Sequence, residues 1–397
     1  MTLQVRGVHF GAMSYLQNNA SPMPPHRLFS SLAAVGICLS ACAPSHDCPP
    51  LDGPDIDVRA GVGADLDTLV RESLEGGFRG TVLVEKDGEL LLHAGYGYAS
   101  VEASCRAASI GTAYWIGSLS KQFAAAGIAK LMDDGRLELT DTIGDFFPDA
   151  PNDKSSITVR QLLTHTSGLP ANYAADGIGE RDEAVAAILA QELDSAPGET
   201  FSYSNDGFNL AAAIIEIVSG EDYDAMLQES LFGDLPFAAI GFNNDEGAWG
   251  RLDVAECALG IDCSGSPQDW PADWGYTGAT GAVTTAGALR TWFHQLERGE
   301  AISRESATEM FARQADTGRD GVSYGLGWFR IDTSDGDIII VHAGDDDFVG
   351  HSSMLRWHDN EKLLVIVLSN SGYVDSRPAA SIVASELARA AIGLSAP

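Results

Sequence analysis

Segments with the hydrophobic pattern of β-strands lie near both ends of this 397-residue chain, with mainly helical segments between them. Near the start, two apolar runs flank Asp87-Gly88, a dipeptide typical of a tight hairpin turn. Near the end, apolar runs recur four times. The predicted strands are Thr81–Lys86, Glu89–Ala94, Leu326–Ile331, Ile338–His342, Ser352–Arg356 and Leu363–Leu368. This arrangement predicts one antiparallel sheet built from both ends of the chain.

The predicted fold class is therefore α+β: an antiparallel sheet flanked by helices, with an all-helical part inserted into it. The sheet part spans about 63–117 and 284–396, and the helical part about 118–283. Apolar residues recur at helical spacing from Ser118 to Asp133, and further helices are expected at Ala64–Glu75, Asn209–Val218, Thr284–Arg298 and Ala379–Ala391. No apolar stretch reaches the roughly 18 residues of a spanning helix, which excludes a protein with several membrane spans.

The chain is strongly acidic. It has 24 Lys and Arg residues against 56 Asp and Glu residues, a formal net charge of −32. A field of that sign repels phosphate backbones, so nucleic acid is excluded as a partner. The first acidic residue is Asp47, and the charged residues before it are Arg6 and Arg27. This asymmetry indicates that the N-terminal segment has a separate fate.

The N-terminal segment has the pattern of an export signal. Its apolar run, Leu28–Ala41, has the length typical of a signal-peptide core. The run ends in Leu39-Ser40-Ala41-Cys42, which resembles the lipobox of bacterial lipoproteins, with Cys42 as the lipidated residue. An ordinary signal peptide with a chance cysteine is the alternative. We predict a periplasmic protein held to a bacterial membrane, the outer one, through this lipid anchor alone. The predicted segments are a signal peptide over 1–41, of which 1–22 would be a start-site error if Met23 is the first residue, a lipidated tether over 42–62 and a hydrolase domain over 63–396.

Four further cysteines remain in the mature chain: Cys48, Cys105, Cys257 and Cys263. An even number in an oxidising compartment predicts two disulfides, for which three pairings exist. Cys257 with Cys263 is the most local choice and leaves Cys48 with Cys105, while free buried thiols are the alternative. The spacing does not fit a zinc site, and we predict neither a metal nor another cofactor.

A candidate nucleophile lies where a short predicted strand, Tyr114-Trp115-Ile116, meets a predicted helix, in Ser118-Leu119-Ser120-Lys121. A side chain at a helix start faces free backbone N–H groups, and Lys121 lies one turn later on the same face. A desolvated lysine with a lowered pKa can take the proton of a serine hydroxyl. The alternative is that Ser118 caps the helix and Lys121 is a solvated charge.

Two further tripeptides carry side chains suited to the same chemistry. Tyr203-Ser204-Asn205 precedes a predicted helix, and its phenol could relay a proton while its amide could hold a carbonyl group. His342-Ala343-Gly344 ends an apolar run, where a glycine would let a strand edge approach a ligand closely. Each tripeptide alone is also ordinary turn sequence.

Together these segments resemble serine beta-lactamases and penicillin-binding proteins, on the branch of the class C beta-lactamases, D-alanyl-D-alanine carboxypeptidases, D-aminopeptidases and family VIII esterases. The resemblance covers roughly residues 64–393 in family order. It implies the beta-lactamase/transpeptidase-like fold and a serine hydrolase without metal. The segments that carry it are Trp115–Phe123, Leu131–Gly135, Ile157–Pro170, Phe201–Gly220, Gly278–Thr285 and Tyr324–Trp328.

The resemblance also implies residue roles. Ser118 would be the acylated nucleophile, Lys121 its base and Tyr203 the proton shuttle to the leaving group. The substrate-binding residues would be Asn205, His342, Gly344 and Asp345, with the backbone N–H groups of Ser118 and Asp345 forming the oxyanion hole. We interpret His165, in the family signature His165-Thr166-Ser167-Gly168, as a structural residue that holds a turn.

The third motif departs from the Lys-Thr-Gly of many relatives, because His342 replaces the lysine. A histidine is mostly neutral at pH 7, although Asp345-Asp346-Asp347 could favour its protonated form. The same carboxylates would repel a substrate carboxylate. The loop that follows looks lengthened, and a metal site formed by these acids with His342 and His351 is a weak alternative.

The predicted function is an acyl-enzyme hydrolase for a peptide amide or ester, most of all a D-amino-acid peptidase or carboxypeptidase-like enzyme acting on a small molecule or a peptidoglycan-derived peptide. A family VIII-type carboxylesterase is the close rival, followed by a beta-lactamase because His342 disfavours anionic antibiotics. From another class, a non-catalytic lipoprotein that binds muropeptides is the alternative. The sequence contains no GxSxG elbow, so an α/β-hydrolase is not expected.

Overall fold

In the computed structural model of the protein, the described residues are 56–58, 60–100, 105–233, 235, 240–242, 252–256, 273–346, 350–374 and 377–393. Their strands are β1 (Ile56–Val58), β2 (Gly80–Lys86), β3 (Glu89–Tyr96), β4 (Tyr98–Ser100), β5 (Arg106–Ala107), β6 (Thr112–Trp115), β7 (Ile240–Phe242), β8 (Asp253–Val254), β9 (Ala282–Thr284), β10 (Ala315–Arg319), β11 (Val322–Tyr324), β12 (Phe329–Asp332), β13 (Ile338–Asp346), β14 (His351–His358), β15 (Leu363–Ser369), β16 (Tyr373–Val374) and β17 (Arg377–Pro378). The α-helices are α1 (Val62–Glu75), α2 (Lys121–Asp133), α3 (Ile143–Phe146), α4 (Val159–Leu163), α5 (Arg181–Leu189), α6 (Asn205–Ser219), α7 (Tyr223–Ser230), α8 (Ala286–Arg298), α9 (Arg304–Phe311) and α10 (Ala379–Gly393).

Nine of these strands form one sheet in the order β1-β3-β2-β15-β14-β13-β12-β11-β10. Neighbouring strands in it are antiparallel, as the sequence predicts. The two ends of the chain meet where β2 pairs with β15, from Gly80 opposite Ser369 to Lys86 opposite Leu363. Every residue of β14 and β15 is buried, so these central strands are covered on both faces. Helix α10 packs on β14 and β15, and α8 packs on β2 and β15.

The part of the chain between β6 and α8 contains the predicted helices, with α2 packed against α6. The expectation that this part is all-helical needs a correction. It also contributes three short strands to a small sheet in the order β7-β9-β6-β8, in which β6 and β8 are parallel. Strands of two or three residues are too short to show an alternating pattern in the sequence. The fold is otherwise the predicted α+β arrangement.

The folded part begins earlier than the predicted boundary at residue 63. Ile56–Val58, inside the expected tether, pairs with Leu92–Ala94 of β3 and adds an edge strand to the sheet. None of the described helices is long and apolar enough to cross a membrane.

Several predictions made from the sequence lie outside the described residues. These are the signal peptide over 1–41, the lipidated Cys42 and most of the tether. Cys105 is disulfide-bonded, whereas Cys48, Cys257 and Cys263 lie outside the described residues. The pairing of the cysteines therefore stays a prediction.

Candidate active site

Ser118 lies in a tight turn between the small sheet and helix α2. Strand β6 ends at Trp115, and Gly117 then adopts a φ of 53°, a left-handed conformation that glycine takes without strain. A single 3-10 turn, Gly117–Ser120, leads directly into α2. The sequence predicts one continuous helix from Ser118, but the spacing of three residues still places Ser118 and Lys121 on one side. Ser118 is 5% exposed and Lys121 is fully buried.

Lys121 is fully buried, and its amine faces the hydroxyl of Ser118. Its Nζ lies 3.0 Å from Oγ of Ser118, 2.6 Å from Oδ1 of Asn205 and 3.0 Å from the carbonyl oxygen of Ala279. Burial lowers the pKa of Lys121 well below its ordinary value. A neutral amine has two N–H donors and one lone pair. Because Asn205 and Ala279 accept the two N–H groups, the lone pair is left for the hydroxyl proton of Ser118.

Tyr203 and Asn205 are brought to the same point by the start of α6. Nζ of Lys121 lies 4.9 Å from the centre of the Tyr203 ring. Burial raises the pKa of Tyr203, while its contact with Ser118 lowers the pKa in part. The phenolic oxygen is buried and makes no well-formed hydrogen bond with the described residues. The phenol therefore stays protonated beside Ser118, with its proton not committed to another acceptor.

His165 holds the Tyr203 segment in place through backbone hydrogen bonds and a ring contact. It adopts a φ of 57°, and its Nδ1 accepts the backbone N–H of Ser204 at 3.0 Å. Its carbonyl oxygen accepts the N–H of Ser202 at 2.8 Å, and its ring lies 4.1 Å from the ring of Tyr203, centre to centre. The structure thus places His165 as a link between two loops, in line with the structural interpretation of the sequence.

Strand β13 forms the opposite wall of the site. Strand β12 pairs with β13 only as far as Val341, so residues 342–346 pair with β14 on one side while β13 contacts the Ser118 turn. A Cβ atom on Gly344 would lie 1.7 Å from the carbonyl oxygen of Ile116, so this approach requires glycine. A Cβ atom on Gly117 would lie 3.2 Å from the backbone nitrogen of Asp345. The backbone nitrogen of Asp345 therefore lies beside the Ser118 turn, and its role as the second donor of the oxyanion hole stays a prediction.

His342 is buried at this wall and carries no charge. Its Nδ1 lies 2.8 Å from the carbonyl oxygen of Ala343, and its Nε2 lies 3.0 Å from the hydroxyl of Tyr324. The Nδ1–H therefore donates to Ala343, and Nε2 accepts from Tyr324. Burial is the main cause that lowers the pKa of His342 to about 3. The nearby aspartates thus do not hold the protonated form, and His342 offers no cation to a substrate.

The acidic segment after Gly344 is described as far as residue 346, and Asp347 lies outside the described residues. Strand β13 extends through Asp346, which pairs with His351. Nδ1 of His351 accepts the backbone N–H of Trp115 at 3.1 Å. Among the described residues, no group of three or more His, Cys, Asp or Glu side chains is placed to hold a metal ion.

We expect the pH dependence of acylation to have one acid-side limb, set by Lys121. Acylation needs the neutral amine, so the rate rises as the pH rises through the lowered pKa of Lys121 and then levels off. His342 is already neutral over this range. We therefore expect His342→Gln to keep the acid-side limb of the profile at the same pH, even if the variant lowers the rate itself. The measurement is kcat/KM from about pH 5 to about pH 9 for both proteins. A displaced limb in the variant would mean that His342 carries charge.

Sequence reasoning misses three contributors to the site. The carbonyl oxygen of Ala279 holds Lys121 through the backbone, which leaves no side-chain signal. Tyr324 fixes the neutral form of His342, although only its place in the Tyr324–Trp328 segment marks it in the sequence. The hydroxyl of Tyr373 donates a hydrogen bond to the Asp345 carboxylate, and nothing in the surrounding sequence indicates that contact.

Residues 66–388, well over half of the chain, match the protein family described as Beta-lactamase. Among curated proteins, the chain is 26% identical over 332 residues to Protein flp of Staphylococcus aureus (strain COL), a match that covers 78% of this chain and 64% of the relative. The chain thus spans slightly less than two thirds of that relative. It is 29% identical over 315 residues to penicillin-binding protein 4* of Bacillus subtilis, covering 74% of this chain and 68% of the relative.

Solved structures agree with these matches. The octameric penicillin-binding protein homologue from Pyrococcus abyssi has a TM-score of 0.70 at 26% identity and covers 83% of this chain and 77% of its own. The D-amino acid amidase from Ochrobactrum anthropi, complexed with L-phenylalanine amide, has a TM-score of 0.70 at 22% identity and covers 84% of this chain and 98% of its own. The second likeness bears on the fold alone.

Proposed function

Because this chain belongs to the beta-lactamase family, we propose that it is a serine hydrolase that cleaves amide or ester bonds of amino-acid or short-peptide substrates through an acyl-enzyme on Ser118. Within this reaction class we propose a D-amino-acid peptidase or carboxypeptidase-like role. The observation that carries the proposal is the contact of 3.0 Å between Nζ of Lys121 and Oγ of Ser118, with the other two contacts of Nζ made to oxygen acceptors.

Acylation follows from this arrangement. The lone pair of Lys121 takes the hydroxyl proton as Oγ of Ser118 bonds to the substrate carbonyl carbon. The carbonyl oxygen becomes an oxyanion and accepts hydrogen bonds from the N–H groups of Ser118 and Asp345. The bond to the leaving group then breaks, and Tyr203 donates its proton to the departing nitrogen or oxygen. The proton on Lys121 passes to Tyr203 and restores both groups.

Deacylation repeats the same steps with water as the nucleophile. The restored Lys121 amine removes a proton from water as the water attacks the ester carbon, and the same two N–H groups stabilise the second oxyanion. Oγ of Ser118 leaves and is reprotonated from Lys121.

A carboxylesterase is the second candidate, and the neutral state of His342 favours it. Peptide substrates of carboxypeptidases and beta-lactam antibiotics carry a carboxylate that benefits from a cation at this motif. Both ring nitrogens of His342 are bonded inside the protein, so His342 offers a substrate carboxylate no ion pair. An ester without a carboxylate does not need that ion pair, so its binding is not weakened. For the same reason a beta-lactamase ranks third.

We also propose that the enzyme works in the cell envelope on small or peptidoglycan-derived substrates. The names of the relatives, which include penicillin-binding protein 4* of Bacillus subtilis, support that location. The proposed lipid anchor at Cys42 and the proposed disulfides fit an exported protein, and both rest on the sequence pattern.

Covalent labelling tests the proposal. We expect a fluorophosphonate probe to modify Ser118, located by mass spectrometry, and Ser118→Ala to remove the label. Labelling by fluorescent penicillin as well would favour the peptidase role, and fluorophosphonate labelling alone would favour the esterase. Ser120→Ala is the matched control: it removes the neighbouring buried hydroxyl, which bonds to the carbonyl oxygen of Gly117, and we expect the label on Ser118 to remain. No label from either probe on the folded protein would favour a binding protein without activity.

A further inference from the structure

We propose that Asp206, Asn209 and Gln191 form a binding site for a hard metal cation, Ca²⁺ or Na⁺, which fastens helix α6 to the segment 173–178. The ligand class is a cation that prefers oxygen atoms, and the site supplies a carboxylate and two amide groups. This inference goes beyond the proposed function and does not rest on it.

Three buried side-chain oxygens at this place accept no hydrogen bond from the described residues. They are Oδ1 of Asp206, Oδ1 of Asn209 and Oε1 of Gln191. Asp206 and Asn209 are both 0% exposed. A buried acceptor without a donor is costly, so three of them in one place indicate a bound partner that the protein does not itself supply.

The nitrogen atoms of the two amides fix which way each amide points. Nδ2 of Asn209 donates to the carbonyl oxygen of Gly275 at 2.5 Å. Nε2 of Gln191 donates to Oδ2 of Asp206 at 2.8 Å and to the carbonyl oxygen of Ile188 at 3.4 Å. Exchanging N and O in either amide would set two acceptors against each other. The oxygens of both amides are therefore the atoms that lack a partner.

The three oxygens lie on one side of α6. Asp206 and Asn209 are three residues apart in this helix, and residues at that spacing are neighbours on its surface. Gln191, two residues after α5, reaches the same place because its Nε2 bonds to the Asp206 carboxylate. Its Oε1 belongs to the same amide and lies close to that carboxylate too. Clusters of carboxylate and amide oxygens are the usual ligands of hard cations.

Asp206 brings a negative charge to this cluster. Its Oδ2 accepts the N–H of Ala174 at 3.0 Å and that of Gln191, and both donors are neutral. Among the described residues, no lysine, arginine or histidine forms an ion pair with Asp206. A second carboxylate, Asp273, is close by, because it accepts the N–H of Gly275 at 2.7 Å. The dipole of α6 offsets part of this charge, and a bound cation would offset the rest.

A cation here would join elements that also shape the active site. Helix α6 begins at Asn205, whose Oδ1 accepts a hydrogen bond from Lys121. The ligand set contains one carboxylate and neither histidine nor cysteine, so it differs from the groups of His, Cys, Asp and Glu considered above. The sequence prediction of no metal concerns cysteine and histidine spacing. Amide oxygens that meet from two helices leave no such spacing in the sequence.

Thermal unfolding of the full chain, first dialysed against EDTA, tests the site. The protein is compared in KCl, NaCl and CaCl₂ at equal ionic strength. We expect Ca²⁺ at about 10 mM to raise Tm by about 5 °C above the value in KCl, the effect of a ligand at roughly 100 times its Kd. The same rise in NaCl would identify Na⁺ as the cation.

Two variants separate this site from general screening of the net charge of −32. Asp206→Asn keeps the size of the side chain and removes its charge, so we expect the rise in Tm to disappear. Asp182→Asn is the matched control, because it removes the same charge from a side chain that is 85% exposed and paired with Arg181. We expect this control to keep the full rise.

Luminescence of Tb³⁺, a probe that replaces Ca²⁺ at oxygen sites, gives a measurement on the wild-type protein. Bound Tb³⁺ emits when a nearby tryptophan transfers energy to it, and Trp274 directly precedes Gly275. We expect sensitised emission that the competing cation removes and that Trp274→Phe weakens. This measurement decides the question if Asp206→Asn does not fold.

Equal Tm values in the three salts, or a rise that survives Asp206→Asn, would overturn the cation site. A water molecule or a proton on Asp206 would then satisfy these oxygens. Emission from Tb³⁺ that Trp274→Phe leaves unchanged would overturn the site as well. These measurements do not use the reactivity of Ser118, so their failure leaves the hydrolase proposal standing.

Discussion

Lys121→Met lowers kcat/KM by about 10³-fold, the expected loss for an enzyme that has lost its general base. Methionine fills nearly the same space, but it has no lone pair positioned to take the proton from Oγ of Ser118. The variant leaves Oδ1 of Asn205 and the carbonyl oxygen of Ala279 without their donor, so some stability is also lost. The measurement is the rate of fluorophosphonate labelling at Ser118 together with kcat/KM on a small ester.

A second lysine on the same helix provides the matched control. Lys130 lies nine residues later in α2, partly exposed, and pairs with Asp134 at 2.6 Å. Lys130→Met removes the same ammonium group from the same helix, and we expect labelling to change less than twofold. If Lys121→Met labels Ser118 at the wild-type rate while the protein stays folded by urea titration, another group is the base.

The sequence predicts the long central strands because burial leaves a clear pattern there. Strands β2, β3 and β15 are mostly apolar runs bounded by turn residues, and they appear, with β14, within a few residues of the predicted bounds. The hairpin of β10 and β11 is not predicted, because Ala315–Arg319 is a polar, partly exposed edge strand. Strands β7, β8 and β9 of the small sheet are not predicted either, since tertiary pairing rather than local pattern forms them.

For the candidate site, the sequence predicts the side chains but not their charge states. The spacing in Ser118-Leu119-Ser120-Lys121 is local, so two residues on one turn can be placed together from sequence. Whether Lys121 and His342 are neutral depends on burial by residues far along the chain. The Tyr324 contact that fixes His342 likewise spans two different strands of the sheet. Such contacts need the tertiary structure.

Glu85 shows the same limit outside the site. It lies in β2 and is 1% exposed, although the sequence offers no reason to bury a carboxylate in this strand. Two residues one turn apart on α8 reach it: Arg290 donates to Oε2, and Nε2 of His294 lies 2.7 Å from Oε1. Burial alone would raise the pKa of Glu85, but these partners outweigh it and lower the pKa. The group joins α8 to the sheet.

Glu85→Gln should lower the free energy of unfolding by about 3 kcal/mol, because removing one partner of a buried ion pair leaves the others poorly satisfied. Glutamine keeps the size and one oxygen acceptor, so the loss reflects charge rather than volume. Glu361→Gln is the control: this residue pairs with Lys86, the neighbour of Glu85, at 3.1 Å, but its side chain is 38% exposed. We expect it to cost about 0.5 kcal/mol. Urea unfolding at about pH 5.5 measures both.

The pH dependence of the unfolding free energy lost in Glu85→Gln shows whether His294 contributes to it. The hydrogen bond to Glu85 raises the pKa of His294 above its ordinary value. The stability that protonated His294 contributes is therefore complete below the pKa that His294 has in the unfolded chain. It disappears as the pH rises through the higher pKa of His294 in the folded protein. The lowered pKa of Glu85 sets a limit on the acid side. The stability that ionised Glu85 contributes is complete above its pKa of about 4.5 in the unfolded chain, and it disappears as the pH falls through the lower pKa of the folded protein. The cost of Glu85→Gln is therefore greatest between these limits, near pH 5.5, and smaller at about pH 8.5, as His294 loses its proton and Arg290 remains as the charged partner of Glu85. An equal cost at both pH values would show that His294 does not share in holding α8 to the sheet.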